Sequence, residues 1–95
     1  MYARVINSQV KSGKTDDAVS IWREKVAPGL KQAKGFKGAY LVGDRKTGKG
    51  VTITLWETEA DASAMNAALP QTFALFNELF TTQPETAQYE VLLQL

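Results

Sequence analysis

The sequence contains neither cysteine nor histidine, and the two absences exclude different things. Without cysteine there is no disulfide, no thiolate metal site and no thiol nucleophile, and nothing in the chain reports its redox compartment. Without histidine the commonest general base, metal ligand and haem axial ligand are missing, so any chemistry must use carboxylates, amides, hydroxyls or the substrate itself. An excess of charge of either sign is lacking too. Eleven basic and ten acidic residues leave a formal charge of +1, and Lys and Arg are scattered, which removes the electrostatic basis for nucleic-acid binding. No stretch approaches the roughly 20 apolar residues that a membrane span needs, and the first residues do not lead from a basic segment into a long apolar run. The expectation is a soluble cytoplasmic protein with no membrane or nucleic-acid partner.

What is present fits one domain over residues 1–95: 44% of the residues are hydrophobic and 22% charged, enough for a single core and too little for two. A domain of this size leaves roughly a third of its unfolded-chain surface exposed, so pairing with a second copy is a natural remedy.

"YARVINSQV" (2–10) alternates Tyr2, Arg4, Ile6, Ser8 and Val10 with Ala3, Val5, Asn7 and Gln9, and reads as a first strand. Thr15, followed by Asp16 and Asp17, is the expected N-cap of a helix running to Ala33, with Val19, Trp22, Val26, Leu30 and Ala33 on one face. Pro28 lies inside that helix and predicts a kink or break near Ala27. "KGFKGAYLVGD" (34–44) is a second strand, "RKTGKG" a hairpin loop and "GVTITLWET" (50–58) a third strand. Thr58 caps a second helical region, with Asp61 as a variant of the capping box. In that region Met65, Leu69, Phe73, Phe76 and Phe80 form a stripe that Pro70 splits in two. "TAQYEVLLQL" (86–95) closes the chain as a fourth strand. The order βαββαβ predicts an α+β, ferredoxin-like fold with a four-stranded antiparallel sheet and helices on one side.

On the third strand Val51, Ile53 and Leu55 make a wholly aliphatic face, whose natural place is beneath the helices. Thr52, Thr54 and Trp56 then take the uncovered side, which is uncharged, as is the Ala3, Val5, Asn7, Gln9 face of the first strand. A solvated sheet face normally carries charge. The expectation is therefore that two subunits bring these faces together and enclose a pocket. Trp56 is either core or interface bulk, or a pocket wall that donates its indole N–H. Asn7 is either internally hydrogen-bonded or ligand-facing, and Tyr40 belongs to pocket or core. Arg4 is expected to snorkel to the sheet edge rather than to bind an anion. Trp22 and the Met65–Phe80 stripe are expected as packing residues. "SGKT" (12–15) is not a phosphate loop, because the glycine needed five residues before Gly13 is Ser8.

"APGLKQAKGFKGAYL" (27–41), a hairpin, and then "ITLWETEADASA" (53–64) together resemble the antibiotic biosynthesis monooxygenase family across nearly the whole chain. The resemblance implies a dimeric α+β barrel and, among the family's activities, cofactor-free oxygenation of small aromatic or quinol-type molecules. It implies that Asn7 matches a pocket asparagine of haem-degrading members. It also implies that Thr52 and Trp56 match an asparagine and a tryptophan of the polyketide-oxygenase branch, with only the tryptophan retained. The haem-binding histidine of the family falls at or near Leu75, and a leucine cannot ligate iron, so no cofactor and no metal is expected. Asn7 and Trp56 are then the candidate catalytic residues, holding a phenolic oxygen. Thr52, Thr54 and Tyr40 are candidate substrate-binding residues, the threonines adjusting polarity and the tyrosine stacking. The rival expectation is a non-catalytic dimeric small-ligand-binding or stress-associated protein on the same fold.

Overall fold

A computed structural model describes residues 1–95. The elements run β1 (Tyr2–Gln9), α1 (Thr15–Ile21), a π-helical segment (Trp22–Val26), α2 (Ala27–Gln32), β2 (Phe36–Asp44), β3 (Lys49–Trp56), α3 (Glu59–Ala64), a 3-10 segment (Met65–Ala68), α4 (Leu69–Ala74) and β4 (Glu85–Glu90). The sheet order is β2-β3-β1-β4 with every neighbour antiparallel. This is the ferredoxin-like α+β fold expected from the sequence. No helix is long and apolar enough to cross a membrane.

Proline shapes both helical layers. Pro28 has no N–H to give to a carbonyl one turn back. The chain responds by widening rather than breaking: Ala27 N–H donates to the Trp22 carbonyl, five residues back, and the helix passes through one π turn before resuming as α2. Pro70 stands in the first turn of α4, where a missing donor costs nothing, and the 3-10 segment before it joins α4 to α3. Thr58 caps α3 as expected, its hydroxyl accepting from Asp61 N–H at 3.1 Å. Thr15 does not cap α1. The N-cap is Lys14, and the Thr15 hydroxyl is buried without a partner.

The expected fourth strand is cut short. β1 starts at Tyr2, which already pairs with Glu90. Beyond it only Val91 N–H finds a partner, the Met1 carbonyl at 2.9 Å, and Leu92, Leu93 and Leu95 are exposed.

The largest correction concerns the two sheet faces. Cross-strand partners share a face, and β1 pairs with β3 as Tyr2 with Trp56, Arg4 with Thr54, Ile6 with Thr52 and Asn7 with Val51. The face beneath the helices therefore carries Arg4, Ile6, Ser8, Thr52, Thr54 and Trp56, all of which meet residues of α1, α2, α4 and the π-helical and 3-10 segments around one cavity. The open face carries Val5, Asn7, Val51, Ile53 and Leu55. The aliphatic set looked like the side for the helices. It lies on the other side because the helix-facing side surrounds a cavity and tolerates hydroxyls, while the aliphatic side is left without a cover in the single chain.

Candidate functional site

Trp56 anchors one end of the helix–sheet interior. It is 1% exposed and packs with Leu30 and Ala62 against Tyr2, Trp22, Val26, Ala33, Phe36 and Met65. Phe36 meets it edge-on at 5.5 Å between ring centroids. Its indole N–H donates to the Thr54 hydroxyl at 2.8 Å, two residues back on the same strand face. The donor assigned to a ligand is thus already satisfied, and the free hydrogen at this point belongs to Thr54. Trp56 is both core and cavity wall.

Arg4, opposite Thr54 on β1, is 5% exposed, so the expected snorkelling does not occur. One Nη donates to the Ala62 carbonyl at 2.9 Å and to Gln88 Oε1 at 3.4 Å, and the other donates to Asn66 Oδ1. Gln88 is held in turn by its Nε2 bond to Ser63 Oγ at 3.1 Å. Each of these acceptors is neutral, and Nε is buried without any. Burial lowers the guanidinium's pKa from its usual value, yet arginine keeps its charge in proteins.

From this polar end the cavity extends along the strands past Ile6, Thr52 and Leu41 to Ser8 and Val10. The helical regions and the turn after α4 supply the roof: Ala18, Trp22, Val26 and Leu30 from the first region, Met65, Leu69 and Phe73 from the second, and Phe76 and Phe80 from the segment that follows it. The stripe expected only as packing is therefore the aromatic wall of the cavity, with Phe76 and Phe80 stacked at 5.6 Å and Phe73 edge-on to Phe80 at 6.3 Å. The π turn presents Trp22 and Val26 to the same space. The open volume is about 100 Å³, the scale at which an apolar cavity accepts a single aromatic ring. No Asp or Glu lines it, and no group of His, Cys, Asp or Glu side chains converges to hold a metal ion.

The structure brings Thr52, Thr54 and Trp56 together and separates Asn7 and Tyr40 from them. Asn7 pairs with Val51 and is exposed, and Tyr40 pairs with Ile53 and is 63% exposed, both on the open face. In Asn7's expected place stands Ile6, across from Thr52. Asn7 lies on the uncovered side as expected, and it is Thr52, on a third strand whose faces are the reverse of those expected, that lies on the other. Arg4, Ile6, Ser8 and the phenylalanine stripe were missed as cavity residues. The signal that could have found Arg4 was present: it alternates with Tyr2, Ile6 and Val10, a set apolar enough to be a buried face.

Comparison with known proteins places this architecture. The family profile described as antibiotic biosynthesis monooxygenase matches residues 1–69. The uncharacterised protein Rv2557 of Mycobacterium tuberculosis is 30% identical over 94 residues, 96% of this chain but 41% of that protein, so the chain spans about two fifths of the relative's length. A monooxygenase of Streptomyces coelicolor from the gene ActVA-Orf6, solved with nanaomycin D, superposes with a TM-score of 0.80 at 16% identity, over 99% of this chain and 89% of the other. The haem-degrading MhuD of Mycobacterium tuberculosis, solved with two haems in its active site, superposes with a TM-score of 0.76 at 18% identity, over 100% of this chain and 99% of the other. At such identities the structural likenesses show the fold alone. The profile match covers most of the chain, and with it this protein belongs to the antibiotic biosynthesis monooxygenase family.

Proposed function

We propose that the protein is a cofactor-independent monooxygenase acting on a small aromatic or quinol-type molecule, and that the cavity between sheet and helices is its site. The observation that carries the reading is the shape and charge of that cavity: an aromatic-walled, ring-sized space whose one charged group, Arg4, stands at one end beside Thr54. Such a space orients an oxygenated ring and strips it of water. The chemistry is then the substrate's own. An activated ring CH₂ and O₂ give C=O and H₂O, the electrons coming from the electron-rich phenolate form of the substrate. The protein's part is to hold that form with Thr54 near its oxygen, Thr52 further along the same strand and the phenylalanines against the ring.

Haem does not fit the residues present. The cavity offers no imidazole, thiolate or phenolate to iron, the Met65 thioether has no histidine to accompany it, and the volume suits one ring rather than a tetrapyrrole. The working form in this reading is a homodimer of the 1–95 domain. The open face, with Val5, Ile53 and Leu55 half-buried and Tyr40, Val42 and Tyr89 exposed, is the apolar surface that a second sheet would cover.

One observation favours a second reading. No acid or base lines the cavity to take a proton, as a non-catalytic, dimeric small-ligand-binding protein would allow. Oxygen consumption with single-ring hydroquinones and phenols separates the two. The oxygenase reading expects substrate-dependent uptake that falls in a Thr54→Val variant. Tight binding without uptake would establish the binding protein instead.

A further inference from the structure

We propose that the cavity selects aromatic anions, carboxylates or phenolates, and that Arg4 is the residue that recognises the anionic oxygen. The proposal rests on reading the cavity as a small-aromatic site and adds the charge state of its occupant.

Arg4 is a buried cation without a counter-ion. The chain's three ion pairs are Lys14–Asp17, Lys37–Glu57 and Arg45–Asp16, none of which includes it. A guanidinium has five N–H donors. Neutral oxygens of Ala62, Gln88 and Asn66 take three of them, leaving Nε–H and one Nη–H without acceptors; Nε is sealed from solvent and cavity alike, so the donor left for a ligand is the Nη–H. A charge taken out of water is expensive unless something compensates it. Packing alone would be served as well by a neutral side chain. What the arrangement lacks is an anion, and the place next to it is a cavity lined by Arg4 itself and otherwise uncharged.

The fit is chemical as well as electrostatic. Ala62, Asn66 and Gln88 hold the guanidinium in place before any ligand arrives, and its planar fork suits an oxygen anion better than a point charge would. Thr54, directly across the strand pair, accepts from Trp56 and keeps its own hydrogen to donate. A ligand oxygen at this end meets one cation and one hydroxyl, with apolar rings behind it. The same arrangement answers the missing base. A phenol bound here loses its proton to the buffer, only the O–H bond breaks, and the phenolate is held by Arg4 with no protein group acting as acceptor.

The test uses the full chain. Titration calorimetry with benzoate and its neutral isostere benzamide should give a preference for the carboxylate of roughly tenfold or more, the range for a hydrogen-bonded charge, and Arg4→Gln should remove the preference while still binding the amide. A second measurement needs no variant: 4-nitrophenol bound to the unaltered protein should show the phenolate absorption band about one pH unit or more below the pH where the free dye ionises. Equal affinity for the carboxylate and the amide, a bound nitrophenol that keeps its neutral spectrum, or binding of none of these probes would each overturn the proposal. Anion preference without oxygen uptake would sink the oxygenase reading and leave this one standing. Uptake with neutral quinols and no anion preference would do the reverse.

Discussion

Thr54 ties the core to the cavity, because one hydroxyl serves both. A Thr54→Val substitution keeps the shape and removes the acceptor, leaving a buried indole N–H unsatisfied at a cost of about 1–3 kcal/mol. In a domain of this size each kcal/mol lowers Tm by about 4–8 °C, and thermal unfolding followed by circular dichroism reads it. Thr54→Ser should restore most of the loss, whereas a hydroxyl that merely fills space would leave the valine variant as stable as the parent. Asn7 makes the opposite prediction. Exposed on the far side of the sheet, it should leave ligand affinity unchanged when replaced by alanine, and a loss of binding in Asn7→Ala would contradict the placement of the site.

Among the elements, glycine and one exposed ion pair carry testable weight. Gly35 joins α2 to β2 at φ +79°, and a Cβ there would run into the Asp61 side chain of α3. Gly35→Ala should therefore destabilise by about 1–2 kcal/mol from the left-handed backbone alone, and more from the clash. Urea titration should show part of the loss recovered when Asp61→Ala is added. The β2–β3 hairpin tip is fastened to the start of α1 by Arg45 and Asp16, 2.9 Å apart. The hydrogen bond and the charge of Arg45 hold the Asp16 carboxyl below its usual range. A depressed folded-state pKa gives a contribution that is present above the unfolded value, about 3.9, and is lost as pH falls through the folded one. The Tm difference between the parent and Asp16→Asn should thus be small but present at neutral pH, since the pair is exposed, and should vanish in acid. A difference that persisted when Asp16 is protonated would assign it to something other than the ion pair.

The same scale shows what could be read from the sequence. The helices and their interruptions were legible, because a spacing of three and four marks a face and a proline marks a missing donor. The strands were legible as strands. Which side of them faces inward was not, since alternation divides residues into two sets without saying which set meets the helices, and the rule that the more apolar set goes inside fails when the interior holds a cavity. Thr52, Thr54 and Trp56 are therefore grouped correctly and assigned to the wrong side, whereas Asn7 is assigned to its own side, the open face, and parts from them for that reason. Arg4 was hidden by the same rule, which puts a lone arginine at an edge.

For the whole molecule, the consequence of that reversal is a chain with two distinct surfaces to fill, an internal cavity and an open aliphatic sheet face. The homodimer reading predicts that Ile53→Asp, at the centre of the open face opposite Val5 and Tyr40, converts a dimer to a monomer in sedimentation velocity. A monomer already in the unaltered protein would remove the dimer and leave the cavity intact. Where an aromatic ligand sits decides between the cavity and the open face. Amide proton–nitrogen correlation spectra of the full chain titrated with benzoate report both sides at once, because the Trp56 indole and the Asn7 side-chain amide give separate signals. With the ligand in the cavity, the signals of Trp56, Thr54 and Ile6 shift progressively while those of Asn7 and Tyr40 stay in place; shifts confined to Asn7, Tyr40 and Ile53 would put the site on the open face and overturn its placement between sheet and helices.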